Sequence, residues 1–140
     1  MLLAVGEHVS PGFDRAVLRA ANGFRRGMGA TGEELCGALA GGVMVIGLLH
    51  GRDRPTQNDD VSRDLVQHWR RAFVAHFGTS ACRPIYDRMR LPGAPGTCAG
   101  IAQESAELLL HVLASAPPSA AACTHRETIA LARDARDMNA

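Results

Sequence analysis

Four cysteines, Cys36, Cys82, Cys98 and Cys123, carry the most reactive side chains of this 140-residue sequence. A thiolate is a nucleophile, one half of a redox couple and a soft metal ligand. In a reducing cytosol structural disulfides are rare, which leaves metal binding, redox exchange or simple burial. The spacings are 46 residues from Cys36 to Cys82 and 16 from Cys82 to Cys98, with no Cys-x-x-Cys pair. Neither a zinc knuckle nor a thioredoxin-type motif fits. Cys36 stands in "GEELCGALAGGVMVIGLLHG", residues 32–51, at the start of an apolar helical run. Near the positive end of a helix dipole a thiolate is stabilised, so a lowered thiol pKa is expected at Cys36.

The glycines beside that cysteine need a reason, because Gly inside a helix costs about 1 kcal/mol relative to Ala. Helical spacing puts Gly37, Gly41 and Gly42 on one side with Ala38, a strip that lets a backbone or a flat group come close. The opposite side offers Leu39, Val43, Ile46 and Leu49 to a core. The plainer alternative is that Cys36 packs as a small hydrophobe and the glycines merely permit tight packing.

Other chemistry is sparse. His8, His68, His76, His111 and His125 share no ligand spacing, and His50 reads as a helix C-cap. Only a last helix that folds back would bring His111 to a cysteine site. Glu33–Glu34 and Asp59–Asp60 suit helix starts. No Ser/His/Asp set, phosphate loop or paired carboxylate motif stands out. Net charge is +1 and aromatics make up 4%, which argues against nucleic acid and gives no charge for a membrane surface. The longest apolar run, Leu35 to Leu49, is shorter than the roughly 20 residues of a membrane span. No signal peptide opens the chain, and a soluble cytoplasmic protein is expected.

The elements that must position the cysteines read as helical throughout. Hydrophobic content of 46% supports a buried core in one all-α domain of about five helices, a small bundle over residues 1–114. Residues 115–140 read as a Pro/Ala-rich linker and a weak last helix. "MLLAVGEH" looks like the tail of a helix, with no N-cap before its apolar residues. Ser10 with Pro11 begins the next helix. "GFRRGMGATG", 23–32, is a Gly-rich turn, after which Thr31 and Glu34 form a capping box for the central helix. Asn58 or Asp59 caps a helix whose apolar positions are Val61, Leu65, Trp69 and Phe73, and Gly78 stops it. "TSACRPIYDRM" is a short segment holding Cys82. Thr97 caps a helix over 98–114 with Ile101, Ser105, Leu108 and Val112 on one face.

"CGALAG", 36–41, fits CGAxxG, the central motif of the redox-active C-GCAxxG-C-C family. "ANGFRRGMGATGEELCGALAGGVMVIGLLHGR" resembles the family's Gly-rich approach, GFGGGMG, followed by the motif and an apolar helix end. "HFGTSACRPI" and "CAGIAQESAELL" resemble the segments that carry its third and fourth cysteines. The likeness covers residues 1 to about 114. Two departures stand out. Arg25 and Arg26 occupy positions where the family usually has Gly, which adds two charges near the thiol; the plainer reading is a pair of exposed, solvated arginines, and the sharper one is that they favour a thiolate or an anionic ligand. The family's first cysteine is missing, because Met1 falls just beyond its position. The expectation is that the native reading frame continues upstream to that cysteine; the alternative is a degenerate member with three. Cys123 lies outside the resemblance and reads as an idle thiol.

The resemblance implies redox activity centred on Cys36, Cys82 and Cys98, with Gly37, Ala38 and Gly41 beside the site. Three chemistries compete. One is an iron–sulfur cluster or other thiolate-bound metal, with those three cysteines as ligands and a fourth position open. The second is dithiol–disulfide exchange with no cofactor, Cys36 attacking and Cys82 or Cys98 resolving. The third is a structural zinc completed by a His or carboxylate. The cluster or metal site is favoured, because exchange needs two sulfurs and three are present. The sequence does not name the redox partner. The competing class is a helical binding module, a homodimer packed through the glycine strip.

Overall fold

The computed structural model describes residues 1–10, 14–94 and 97–116. They form six α-helices: α1 Leu2–Val9, α2 Arg15–Ala21, α3 Gly37–His50, α4 Asp60–Phe77, α5 Cys82–Arg88 and α6 Cys98–Ala114. A 3-10 turn, Asn22–Phe24, extends α2. The all-α expectation holds, with α1 and α5 accounting for the short N-terminal and Cys82 segments. No strand forms among the described residues; a single antiparallel bridge joins Leu35 to Ala81. No helix is long and apolar enough to cross a membrane. The weak last helix, Cys123, His125 and Pro11 lie outside the described residues.

The core is a three-helix packing of α3, α4 and α6, with α1 laid against α3. On α4 the four-residue spacing of Leu65, Trp69, Phe73 and Phe77 makes one buried stripe. Val61, expected on that face, is 41% exposed in the first turn. Trp69 meets Phe73 edge to face with ring centroids 5.4 Å apart, and Phe73 meets Phe77 at 4.5 Å. The helix stops at Gly78, whose φ of 76° is a left-handed cap. On α6 the buried positions are Ile101, Ser105, Leu109 and Val112. Leu109 takes the place expected for Leu108, which is only half-buried. Thr97 caps this helix, its hydroxyl accepting from Ala99 N at 3.3 Å.

Two helix starts differ from the sequence reading. Asp14 caps α2, accepting from Ala16 N at 2.7 Å, so the helix begins later than Ser10 and Pro11 imply. Thr31 does not cap α3. Its hydroxyl donates to Met28 O at 3.1 Å and accepts from Glu33 N at 3.2 Å inside the preceding turn. The N-cap of α3 is Cys36 itself.

The glycines of α3 answer to different neighbours. A Cβ on Gly42 would stand 2.4 Å from Trp69 Nε1, so Gly42 belongs to the core rather than to a strip shared with Gly37. Its absence of side chain lets the indole lie against α3 and donate from Nε1 to Leu39 O at 3.0 Å. Gly37 faces Phe24 O, where a Cβ would come within 2.7 Å, and Gly41 faces Met1. All three glycines meet groups of this same chain.

Candidate functional site

Each cysteine of interest begins a helix: Cys36 is the N-cap of α3, Cys82 the first residue of α5 and Cys98 the first residue of α6. The Leu35–Ala81 bridge brings the first two together. Cys36 N donates to Ser80 O at 2.9 Å, and Cys82 N donates to Glu34 O at 2.8 Å. Side chains alternate across a bridge, so Cys36 and Cys82 leave it on the same face, at diagonal positions. Short-range order of this kind carries no strand pattern in the sequence.

All three sulfur-bearing residues line one cavity of about 270 Å³ between α1, α3, the Gly-rich turn and α6. Its walls are mostly apolar, from Leu2, Phe24, Met44 and Ile101, with Gly37, Ala38 and Gly41 along the α3 side. Gly42 is not among the lining residues. The charged side chains that line it are Arg25 and Arg26. Cys36 and Cys82 are buried and Cys98 is exposed; all three are free thiols. The site is therefore a buried pair of sulfurs with a third at the solvent side.

Electrostatics overturns one expectation. Burial raises the Cys36 pKa above the ordinary thiol range; the backbone N–H groups of Ala38 and Leu39 oppose this, and nearby Cys98 adds to it. The helix-start effect is present but loses to desolvation, because Cys36 is buried. Cys82 is also raised, first by burial and then by the proximity of Cys36 and Cys98. Arg26 and Arg83 pull it the other way.

The turn over 23–32 is the part of the site that the sequence only partly disclosed. Arg26, Gly27, Met28, Gly29 and Ala30 all have positive φ, from 51° to 69°. A left-handed conformation costs a non-Gly residue roughly 1–2 kcal/mol. The turn is closed by Gly29 N to Gly23 O at 2.8 Å, Ala30 N to Arg25 O at 2.9 Å and Gly32 N to Arg26 O at 3.0 Å. Arg83 Nη2 ties it to α5 by donating to Thr31 O at 2.7 Å. Gly27 (φ 69°) leaves no room for a side chain, since a Cβ there would come within 2.9 Å of Cys82 Cβ. Arg26 holds φ 51° where the Gly-rich pattern would put a Gly, and its guanidinium lies 4.6 Å from the Tyr86 ring centre. The Gly-rich spelling signalled a turn; it did not signal that the arginines border the cysteine cavity.

The remaining candidates stay away from the cavity. His76 pairs with Glu104 at 2.8 Å on the surface. His50 ends α3, with its pKa lowered by burial. His111 is exposed in the last turn of α6 and does not line the cavity. Among the described residues no group of three or more His, Cys, Asp or Glu side chains is arranged to hold a metal ion. Soft thiolate donors of this kind suit iron–sulfur or zinc chemistry.

No curated protein and no solved structure matches the chain. The model of the family described as "Putative redox-active protein (C_GCAxxG_C_C)" matches residues 1–112, a span that includes Cys36, Cys82 and Cys98. With four-fifths of its length matched and the three cysteines gathered on one cavity, the chain belongs to this redox-active family.

Proposed function

We propose that the chain is a thiol redox protein that exchanges two electrons with a disulfide through Cys98, Cys82 and Cys36. The observation that carries this is the single cavity on which all three cysteines open, two of them buried and one reachable from solvent. Exchange needs an accessible attacking sulfur and a second sulfur to resolve the mixed disulfide. Cys98 serves as the first. Its thiolate attacks one sulfur of the substrate disulfide, the substrate S–S bond breaks, and one substrate thiolate leaves and takes a proton from water. Cys82, faced by Arg26 and Arg83, then gives up its proton to water and attacks the Cys98 sulfur; the Cys98–substrate bond breaks, and the second substrate thiolate leaves and takes up a proton. Two cysteine thiols become one disulfide, and the substrate disulfide becomes two thiols. Cys36 is the neighbouring sulfur through which the bond can pass to the buried side.

A second reading, a thiolate-bound iron–sulfur or other metal centre, draws support from the same three sulfurs and from the Ala38 and Leu39 N–H groups that favour a Cys36 thiolate. The dithiol reading needs only two sulfurs, one of them reachable from solvent. Anaerobic purification separates the two. Iron, zinc and acid-labile sulfide are counted per chain, and thiols are counted before and after treatment with bis(2-hydroxyethyl) disulfide. Loss of two thiols per chain without bound metal supports exchange. Stoichiometric iron and sulfide would transfer the assignment to the metal centre.

A further inference from the structure

The cavity has a sign as well as sulfurs. Arg25 and Arg26, both exposed, border it with cationic side chains, and no Asp or Glu lines it. Among the described residues neither arginine forms a salt bridge; the ion pairs use Arg52, Arg63 and His76. Arg26 is held in place from two directions, by its left-handed backbone inside the closed turn and by the Tyr86 ring beneath its guanidinium. Arg90 approaches the same ring, at 5.6 Å. The rest of the lining of this cavity of about 270 Å³ is mostly apolar. That volume lies just below the range of about 300–1,000 Å³ usual for ligand pockets and admits only a small molecule.

We propose that the disulfide reduced at this site is a small anionic one, bearing a carboxylate near its S–S bond, which Arg25 and Arg26 hold while its sulfur meets Cys98. This rests on the thiol-exchange reading above and specifies its substrate class. Guanidinium is suited to the task, since its fork pairs with a carboxylate through two parallel N–H donors. The chemistry is unchanged: the substrate disulfide gains two electrons and leaves as two thiols, while two of the cavity cysteines form a disulfide. In the absence of the arginines an anionic disulfide should be the slowest partner, because an attacking thiolate repels it. A preference for the anion therefore reports on Arg25 and Arg26.

The test follows the full chain, reduced and freed of reductant, reacting with three disulfides of similar size. These are 3,3′-dithiodipropionate (anionic), bis(2-hydroxyethyl) disulfide (neutral) and cystamine (cationic). The anionic probe is expected to react about tenfold faster than the neutral one at low salt, within the range of electrostatic steering. In the double variant Arg25→Gln, Arg26→Gln that ratio is expected to fall to one or below, with the helical circular dichroism kept. Should the variant fail to fold, salt serves instead. From about 0.01 M to about 1 M the screening length drops from about 30 Å to about 3 Å, and the ratio in the unaltered chain must fall with it. Equal rates for all three probes, or a preference for the cation, would overturn the anionic assignment and leave thiol exchange standing. No reaction with any probe would overturn both.

Discussion

Leu35 and Ala81 form one antiparallel bridge, and the residue that follows each of them is a cysteine. This small piece of extended backbone ties the start of α3 to the start of α5 across 46 residues of sequence. It places Cys36 and Cys82 on one face, at diagonal positions, without a Cys-x-x-Cys motif. Cys98 joins them from the start of α6, on the solvent side.

That arrangement orders the thiols by reactivity. With a neutral alkylating reagent at pH 7, Cys98 is expected to react first, and Cys36 and Cys82 at least about tenfold more slowly, since burial both shields them and raises their pKa values. Peptide mapping of the labelled chain at early times checks the order. Equal labelling of all three would contradict the burial of the pair.

The raised thiols also fix a pH dependence. A thiol whose folded pKa exceeds its unfolded value of about 8.5 keeps its proton longer when folded. The stabilisation is fully present below about pH 8.5 and is lost as pH rises toward the folded value. Chemical denaturation between pH 7 and pH 10 is expected to show stability falling above about pH 8.5, with a shallower fall in Cys36→Ala. Stability that rises with pH over that interval would contradict the assignment.

Two glycines of the same helix are expected to respond in opposite directions. Gly42→Ala drives a methyl into the Trp69 indole and threatens its bond to Leu39 O, at a cost of at least about 2 kcal/mol. Gly47 is exposed with open space beside it, so Gly47→Ala is expected to stabilise by about 1 kcal/mol. Urea denaturation of both variants measures the contrast; a shared sign would contradict it.

Ser105 offers a third stability test. It is fully buried on α6, and among the described residues its Oγ has no hydrogen-bond partner. A buried hydroxyl left unpaired carries its desolvation cost, so Ser105→Ala is expected to raise stability by about 1 kcal/mol. A loss on substitution would mean that the hydroxyl is paired.

Much of this was legible in the sequence because it rests on local signals. The stripe Leu65, Trp69, Phe73 follows helical spacing, Gly78 and Thr97 are strong stop and start residues, and "CGALAG" marks the central cysteine. What was not legible depends on contacts far apart in the chain. Gly42 looked like a neighbour of Gly37 until Trp69, from another helix, claimed it. The Cys36 pKa was read from its place at a helix start, but tertiary burial decided its direction. Thr31 followed by Glu34 spelled a capping box, yet the left-handed turn kept Thr31 for itself and left the cap to Cys36. Arg25 and Arg26 could be seen to depart from a Gly-rich pattern, but only the folded turn puts them on the wall of the cysteine cavity.

The most direct measurement is mass-spectrometric mapping of the disulfide that forms when the reduced chain is oxidised by a small disulfide, with free thiols blocked at acid pH. One bond within a single chain is expected, joining two of Cys36, Cys82 and Cys98, and its formation is expected to slow at least about tenfold in Cys98→Ser, which lacks the accessible attacking sulfur. Bonds found only at Cys123 or only between chains, or no bond at all, would contradict a redox site built on this cavity.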